Sequence, residues 1–338
     1  MQWALATGGA AITPLAAAQT PPKRRPRILM ITFRGETEVE RGFRDYLANA
    51  GVDAEILHRD TERDVTRVAG ILQDAVAFQP DLIYTWGTPV TLAVTGTYDK
   101  PATHALAHLP VVFAPVAAPV QARIVPSFSG HGRAITGAVH VVPTAVQMRA
   151  MQSYRPFSKV GVIYTSTEDN SRVIMDEVRA FAKPANIEVI ERTFKLNAAG
   201  KPVADGVEEM VAQIARAGAQ WLYLLPDTFL GTVYNRLTPA ALERQLPTFG
   251  AAELAVRSGG ALVGLVSRFY AVGQLVGSKV VDILVRGKPA SSLPVETLKR
   301  FSLIVNIEVA RALGGLYPPI EMLNYAEVIN PAAKTPGS

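Results

Sequence analysis

The sequence predicts an α/β protein of two Rossmann-like lobes, each a parallel sheet with helices on its faces. Three observations carry this. Short apolar runs recur at Ile28–Phe33, Asp81–Thr85, Val111–Ala114, Val160–Tyr164, Trp221–Leu225 and Ala261–Val266. Stretches of helical periodicity separate most of them, the signature of parallel strands joined by crossover helices. The alternation runs through 338 residues, 49% of them hydrophobic, which is too long for one ordinary core and ample for two. In open parallel sheets ligands sit beyond the carboxyl ends of the strands. The loops after these runs are therefore where function is sought.

The first strand is Arg27–Phe33. A helix from Glu38 to Ala50 carries Val39, Phe43, Tyr46 and Leu47 on one face, and Gly51 stops it. Asp53–His58 is the second strand, Asp64–Phe78 a helix, and Asp81–Thr85 the third strand. Thr88 caps a short helix to Thr95, with Pro89 at its first position. Leu109–Ala114 and Ala134–Val142 complete this half. In the second half a helix from Thr144 to Tyr154 leads in. Strands follow at Lys159–Tyr164, Ile187–Phe194, Gln220–Leu225, Pro247–Ala251 and Gly259–Val266, with helices at 169–183, 205–217 and 239–245. A long helix spans Phe269 to Val285, and Leu293–Glu296 and Phe301–Asn306 come last.

Composition narrows the function classes. Net charge is +5 without a basic stripe on any helix or face, so no nucleic-acid partner is expected. The chain has no Cys, which excludes disulfides, thiolate catalysis and Cys-ligated zinc. Met1 to Ala18 is uncharged, rich in Ala, Gly and Leu, and ends in Ala16-Ala17-Ala18. It resembles a secretory signal peptide that lacks its basic start, with the modest hydrophobicity of a twin-arginine signal begun too late. A plain Ala-rich tail is the competing reading. No other stretch approaches the roughly 20 apolar residues needed to span a membrane.

The loops after the strands hold the candidate binding groups. Arg34-Gly35-Glu36-Thr37 follows the first strand; Arg34 is either a fork for a carboxylate or a solvated loop arginine. Trp86-Gly87-Thr88 lies at a helix N-terminus, where backbone N–H groups favour an anion and Trp86 offers a stacking face. Ser166, Thr167, Asp169, Asn170 and Ser171 form a polar cluster suited to hydrogen-bonding a ligand backbone, or to capping a helix. Asp227 and Thr228 end the Trp221–Leu225 run, and the acid could pair with a ligand ammonium. Glu253 is a weaker candidate beside a hinge. His104 and His108 lie four apart in a Pro-bounded loop with no third ligand, so no metal is expected. There is no P-loop, no Gly-x-Gly-x-x-Gly and no Gly-x-Ser-x-Gly, and no cofactor is expected.

Several stretches, in order, resemble one family. They are Pro80-Asp81-Leu-Ile-Tyr-Thr85-Trp-Gly87-Thr88, Ile135-Thr136-Gly137, Ser166-Thr-Glu-Asp-Asn170-Ser171, Leu225-Pro226-Asp227-Thr228, and Tyr270-Ala-Val-Gly273 through Leu284-Val-Arg-Gly287-Lys-Pro289 to Leu293-Pro-Val-Glu296. The chain is similar to substrate-binding components of ABC transporters, the periplasmic proteins typified by tryptophan and tyrosine binders. The resemblance implies a type I periplasmic-binding fold with a three-stranded hinge. It places the amino-terminal lobe at 27–141 plus 256–288 and the carboxyl-terminal lobe at 142–255 plus 289–330, with 1–26 a leader and 331–338 a tail. It implies a monomer in the periplasm that captures an amino acid or related carboxylate between its lobes and delivers it to an ABC permease in the inner membrane. Two stretches depart from the family, His131-Gly132-Arg133-Ala134 and Ala117-Ala118-Pro119, with Pro115 standing in if the register shifts. Both are expected near the cleft. A two-domain α/β enzyme using the same cleft is the alternative. A transcription regulator is disfavoured, because only 26 Pro-containing residues precede the first strand.

Overall fold

The structure, a computed structural model, describes residues 24–330. The leader-like segment and the tail at 331–338 lie outside the described residues. Chain order begins β1 (Arg27–Thr32), α1 (Glu38–Asn49), β2 (Glu55–Asp60), α2 (Val68–Asp74), β3 (Leu82–Trp86), α3 (Gly87–Thr95), β4 (Val111–Val116) and β5 (Ile135–Val139). The second half holds α4 (Thr144–Tyr154), β6 (Lys159–Tyr164), α5 (Asp169–Ala182), β7 (Glu188–Thr193), the small hairpin β8 (Lys195–Leu196) and β9 (Pro202–Val203), α6 (Val207–Arg216) and β10 (Trp221–Leu224). It continues with α7 (Tyr234–Glu243), β11 (Thr248–Gly250), α8 (Glu253–Arg257) and β12 (Val263–Val266). Last come α9 (Phe269–Leu284), β13 (Glu296–Thr297), β14 (Ser302–Asn306), α10 (Ile307–Ala312), α11 (Ile320–Leu323) and β15 (Glu327–Ile329).

Two sheets result. The first is six-stranded in the order β13-β5-β4-β3-β1-β2, with every pairing parallel. The second is seven-stranded in the order β15-β14-β12-β11-β10-β6-β7, parallel except where β14 runs against β12. Ile28, Leu29, Met30 and Ile31 of β1 are all fully buried, as expected of a central strand covered on both faces. This explains why the run reads as continuously apolar rather than alternating.

The chain passes between the sheets after β5, between β12 and α9, and between β13 and β14. The last two crossings differ from the expected boundaries at 256 and 288. Val263–Val266 belongs to the second sheet, paired with Phe249 and Gly250. Glu296–Thr297 belongs to the first, paired with Ala138 and Val139. A strand–helix pattern does not say which sheet a strand joins; backbone approach decides it. A Cβ on Gly264 would stand 2.4 Å from the Gly250 carbonyl oxygen, so only glycine lets β12 sit there. Helix α9 returns to the first lobe for a similar reason. A Cβ on Gly273 would lie 1.9 Å from the Val39 carbonyl oxygen, and one on Gly42 would lie 2.0 Å from that of Tyr270. Helices α1 and α9 thus touch backbone to backbone.

Three local expectations shift. Helix α3 starts at Gly87 with Trp86 as its N-cap, so Thr88 is inside the helix and caps nothing. Gly87 has φ of 79°, a conformation that a side chain would strain. Pro239 lies inside α7, which begins at Tyr234 rather than at the proline. The predicted helix 64–78 is a short α2 with a 3-10 turn at each end.

Candidate functional site

The carboxyl ends of both sheets face one cleft, and its inner part is a cavity of about 50 Å³ that opens to solvent. Arg34 enters from the end of β1, Trp86, Gly87 and Thr88 from β3, and Pro115 and Ala117 from β4. The second lobe contributes Asn170, Asp227 and Thr228. Those are eight of the fourteen residues expected at the site, with Ala117 in addition. The parallel sheet brings them together because each follows a strand on the same edge.

Arg34 is the centre of the first-lobe wall. Its guanidinium lies 4.8 Å from the Trp86 ring centroid and 5.7 Å from that of Phe33, and the two rings stack at 9° to each other. It donates across the cleft to the Thr228 carbonyl at 3.2 Å. Its Nε is shielded from solvent and has no partner. Burial lowers the Arg34 pKa, while nearby Tyr234, Glu168 and Asp227 oppose that shift. Further polar atoms of the cavity wall are also buried without partners: Trp86 Nε1, His140 Nδ1 and Asn170 Oδ1. Buried polar groups are nearly always satisfied; four of the eight unpartnered buried side-chain atoms among the described residues belong to residues lining this cavity.

The remaining expected residues serve the walls. Thr37 is the N-cap of α1: its hydroxyl accepts from the Val39 N–H and donates to Glu40, whose carboxylate accepts from the Thr37 N–H. Ser171 is fully buried and donates to Asp227 at 2.8 Å. Asp169 is paired with Arg172 at the start of α5, and the Ser166 carbonyl accepts from the same arginine at 3.1 Å. Thr167 is exposed and faces an outer chamber of the cleft. Glu253 is buried at the β12–α9 crossing, where it pairs with Arg257 at 2.6 Å and Arg268 at 3.0 Å and accepts from the Phe269 N–H. Arg133 does not approach the cleft. It precedes β5, at the opposite sheet edge, and donates to the carbonyls of Thr95 and Ile124.

Sequence reasoning missed four groups. His140 follows β5, is buried against Phe269 edge to face, and lines the cavity. Burial, with Arg34 adding to it, pushes its pKa down to about 4, so it is neutral. Tyr234 and Phe269 complete the apolar wall. Glu168 lines the outer chamber and accepts from the Thr228 N–H at 3.0 Å and from its hydroxyl. Burial in the cleft and then the charge of Asp227 raise the Glu168 pKa to about 8.

Residues 28–328 match the sequence family described as ABC transporter substrate binding protein. The chain belongs to that family. Among curated proteins it is similar to the tyrosine-binding protein of Clostridioides difficile strain R20291, 25% identical over 275 residues, which is 81% of this chain and 73% of that one. A conserved domain protein of Vibrio cholerae shares its fold at a TM-score of 0.78 and 23% identity, over 90% of this chain and 99% of that one. An ABC domain from Streptococcus pneumonia, solved in complex with L-Trp, gives a TM-score of 0.76 and 23% identity, over 89% of this chain and all of that one (100%). These likenesses make the two-sheet architecture a type I periplasmic-binding fold. The family match covers both sheets, and so both walls of the cleft.

Proposed function

We propose that this protein is the receptor of an ABC importer and captures a free amino acid, an aromatic one in particular, between its lobes. The observation that carries this is Arg34: a partly buried guanidinium lining the inner cavity of the cleft, in no ion pair among the described residues, with Asp227 on the opposite wall and Glu168 in the adjoining chamber. A zwitterion complements that arrangement, its carboxylate meeting the arginine fork and its ammonium meeting the acidic wall. Trp86, Phe269 and Tyr234 supply an apolar and aromatic lining for a ring. The tyrosine-binding relative and the L-Trp complex support the same ligand class. Contacts to both lobes exist only when the cleft is closed, so ligand binding shifts the population toward closure. The closed receptor then delivers its cargo to a membrane permease, from the periplasm or the cell exterior.

A thermal-shift screen of the purified protein tests this, against amino acids, aromatic carboxylates, purines and sugars. A ligand at 100 times its Kd stabilises by about 2.7 kcal/mol. Stabilisation by L-tyrosine or L-tryptophan, with the ligand recovered unchanged, supports the receptor. Stabilisation by sugars or purines alone, or turnover of the ligand, overturns it.

A further inference from the structure

The cleft holds two carboxyl groups on its second-lobe wall, and they are not equivalent. Asp227 accepts four bonds, from the Thr165 N–H at 2.7 Å, the Thr165 hydroxyl at 3.0 Å, the Ser171 hydroxyl at 2.8 Å and the Leu230 N–H at 2.7 Å. A carboxylate offers about four lone-pair sites, so Asp227 has no acceptor capacity left. It ties the loops after β6 and β10 together. Glu168 takes donors from Thr228, with the Asn170 side chain also close enough to hydrogen-bond it, and joins no ion pair among the described residues.

Glu168 also faces open space. The outer chamber it lines is walled by Phe33, Val65, Pro89 and Phe229 and meets the inner cavity at Thr228, which lines both. Most of the other charged groups around it are committed. Asp64 and Lys201 pair with each other, Asp169 pairs with Arg172, and Arg34 binds the Thr228 carbonyl. Arg63 lines the chamber from the first lobe, and Tyr234 lines the inner cavity.

We infer that Glu168 is the specificity-determining carboxylate of the cleft, receiving the ligand's ammonium beside Thr228, whereas Asp227 only positions the loops. This rests on the amino-acid reading above. It has a consequence in protons. In the arrangement seen here burial, and then the charge of Asp227, raises the Glu168 pKa to about 8, which keeps it mostly protonated near neutrality until a further cation reaches it. The arriving ammonium replaces that proton, which leaves to the buffer. Binding therefore releases about one proton at pH 7, and affinity rises with pH from about 6 to 8, by up to about tenfold per unit.

The test is calorimetry in two buffers of different ionisation enthalpy. The probes are L-tyrosine and L-tryptophan beside 3-(4-hydroxyphenyl)propionate and indole-3-propionate, which keep ring and carboxylate but lack the ammonium. Wild type is expected to prefer the amino acids by about 100-fold and to release a proton. Glu168→Gln should lose most of that preference and the proton release while melting near wild type. Asp227→Asn should instead lower the melting temperature. If wild type binds amino acid and deamino acid equally, or Glu168→Gln keeps both preference and proton release, the assignment of Glu168 is overturned and the carboxylate site at Arg34 survives. If none of the probes binds, the amino-acid reading fails and this inference with it.

Discussion

The Arg34 guanidinium lies over the Trp86 ring at 4.8 Å, and both residues line the inner cavity of the cleft. The ring orients the flat cation without neutralising it, so its donors stay available to an incoming carboxylate. The same side chain reaches the Thr228 carbonyl of the other lobe at 3.2 Å. On the proposed function, Arg34 would read the ligand and the closed state together.

That pairing predicts the outcome of Arg34→Lys. Lysine keeps the charge but loses the planar fork and its fit on the Trp86 face. Affinity for an amino acid should fall about tenfold or more, or at least about 1.4 kcal/mol, by calorimetry. Unchanged affinity would show that the fork makes no bidentate contact.

A second prediction concerns the mouth of the cleft. The β8–β9 hairpin of the second lobe brings Lys201 within 2.9 Å of Asp64 in the first lobe. Lys201, more than any other neighbour, holds the Asp64 carboxyl down to about 2. Both side chains are solvent-exposed, so the pair is screened by salt. Lys201→Ala should speed ligand release several-fold in stopped flow, and the difference from wild type should shrink at high salt. Equal release rates at low salt would remove the hairpin's role as a latch.

His140 sets the third. Its pKa in the folded protein, about 4, lies below the ordinary value of 6.5. The unfolded chain therefore binds more protons, and the contribution of the neutral ring is intact above pH 6.5 and lost as pH falls toward 4. A shift of this size corresponds to about 3 kcal/mol. Denaturant melts between pH 7 and 4 should show His140→Gln losing less stability on acidification than wild type. Parallel pH profiles would mean that His140 protonates without cost.

Much of the fold was legible because continuous apolar runs and helical periods survive in the linear sequence. The strand ends that carry Arg34, Trp86, Asn170 and Asp227 followed directly from that pattern. Lobe membership was not legible: whether Val263–Val266 joins the first or second sheet depends on the Gly250–Gly264 approach across 14 residues, which no local pattern encodes. Thr37 could have been set aside, since Thr37-x-x-Glu40 is a capping-box signature and the structure uses it as one. His140 was hidden because it continues the apolar run of β5. Within Ser166–Ser171 the sequence offers six polar residues at a helix start. Which of them turns toward the chamber depends on the strand-to-helix angle after β6, and Thr167 and Glu168 did.

The most direct measurement is a calorimetric titration of L-tyrosine and L-tryptophan into the wild-type protein and into Arg34→Ala. The account predicts one site per chain in wild type and a loss of affinity on the order of 100-fold in the variant, whose melting temperature stays near wild type. Binding of either amino acid with equal affinity to both proteins would contradict it.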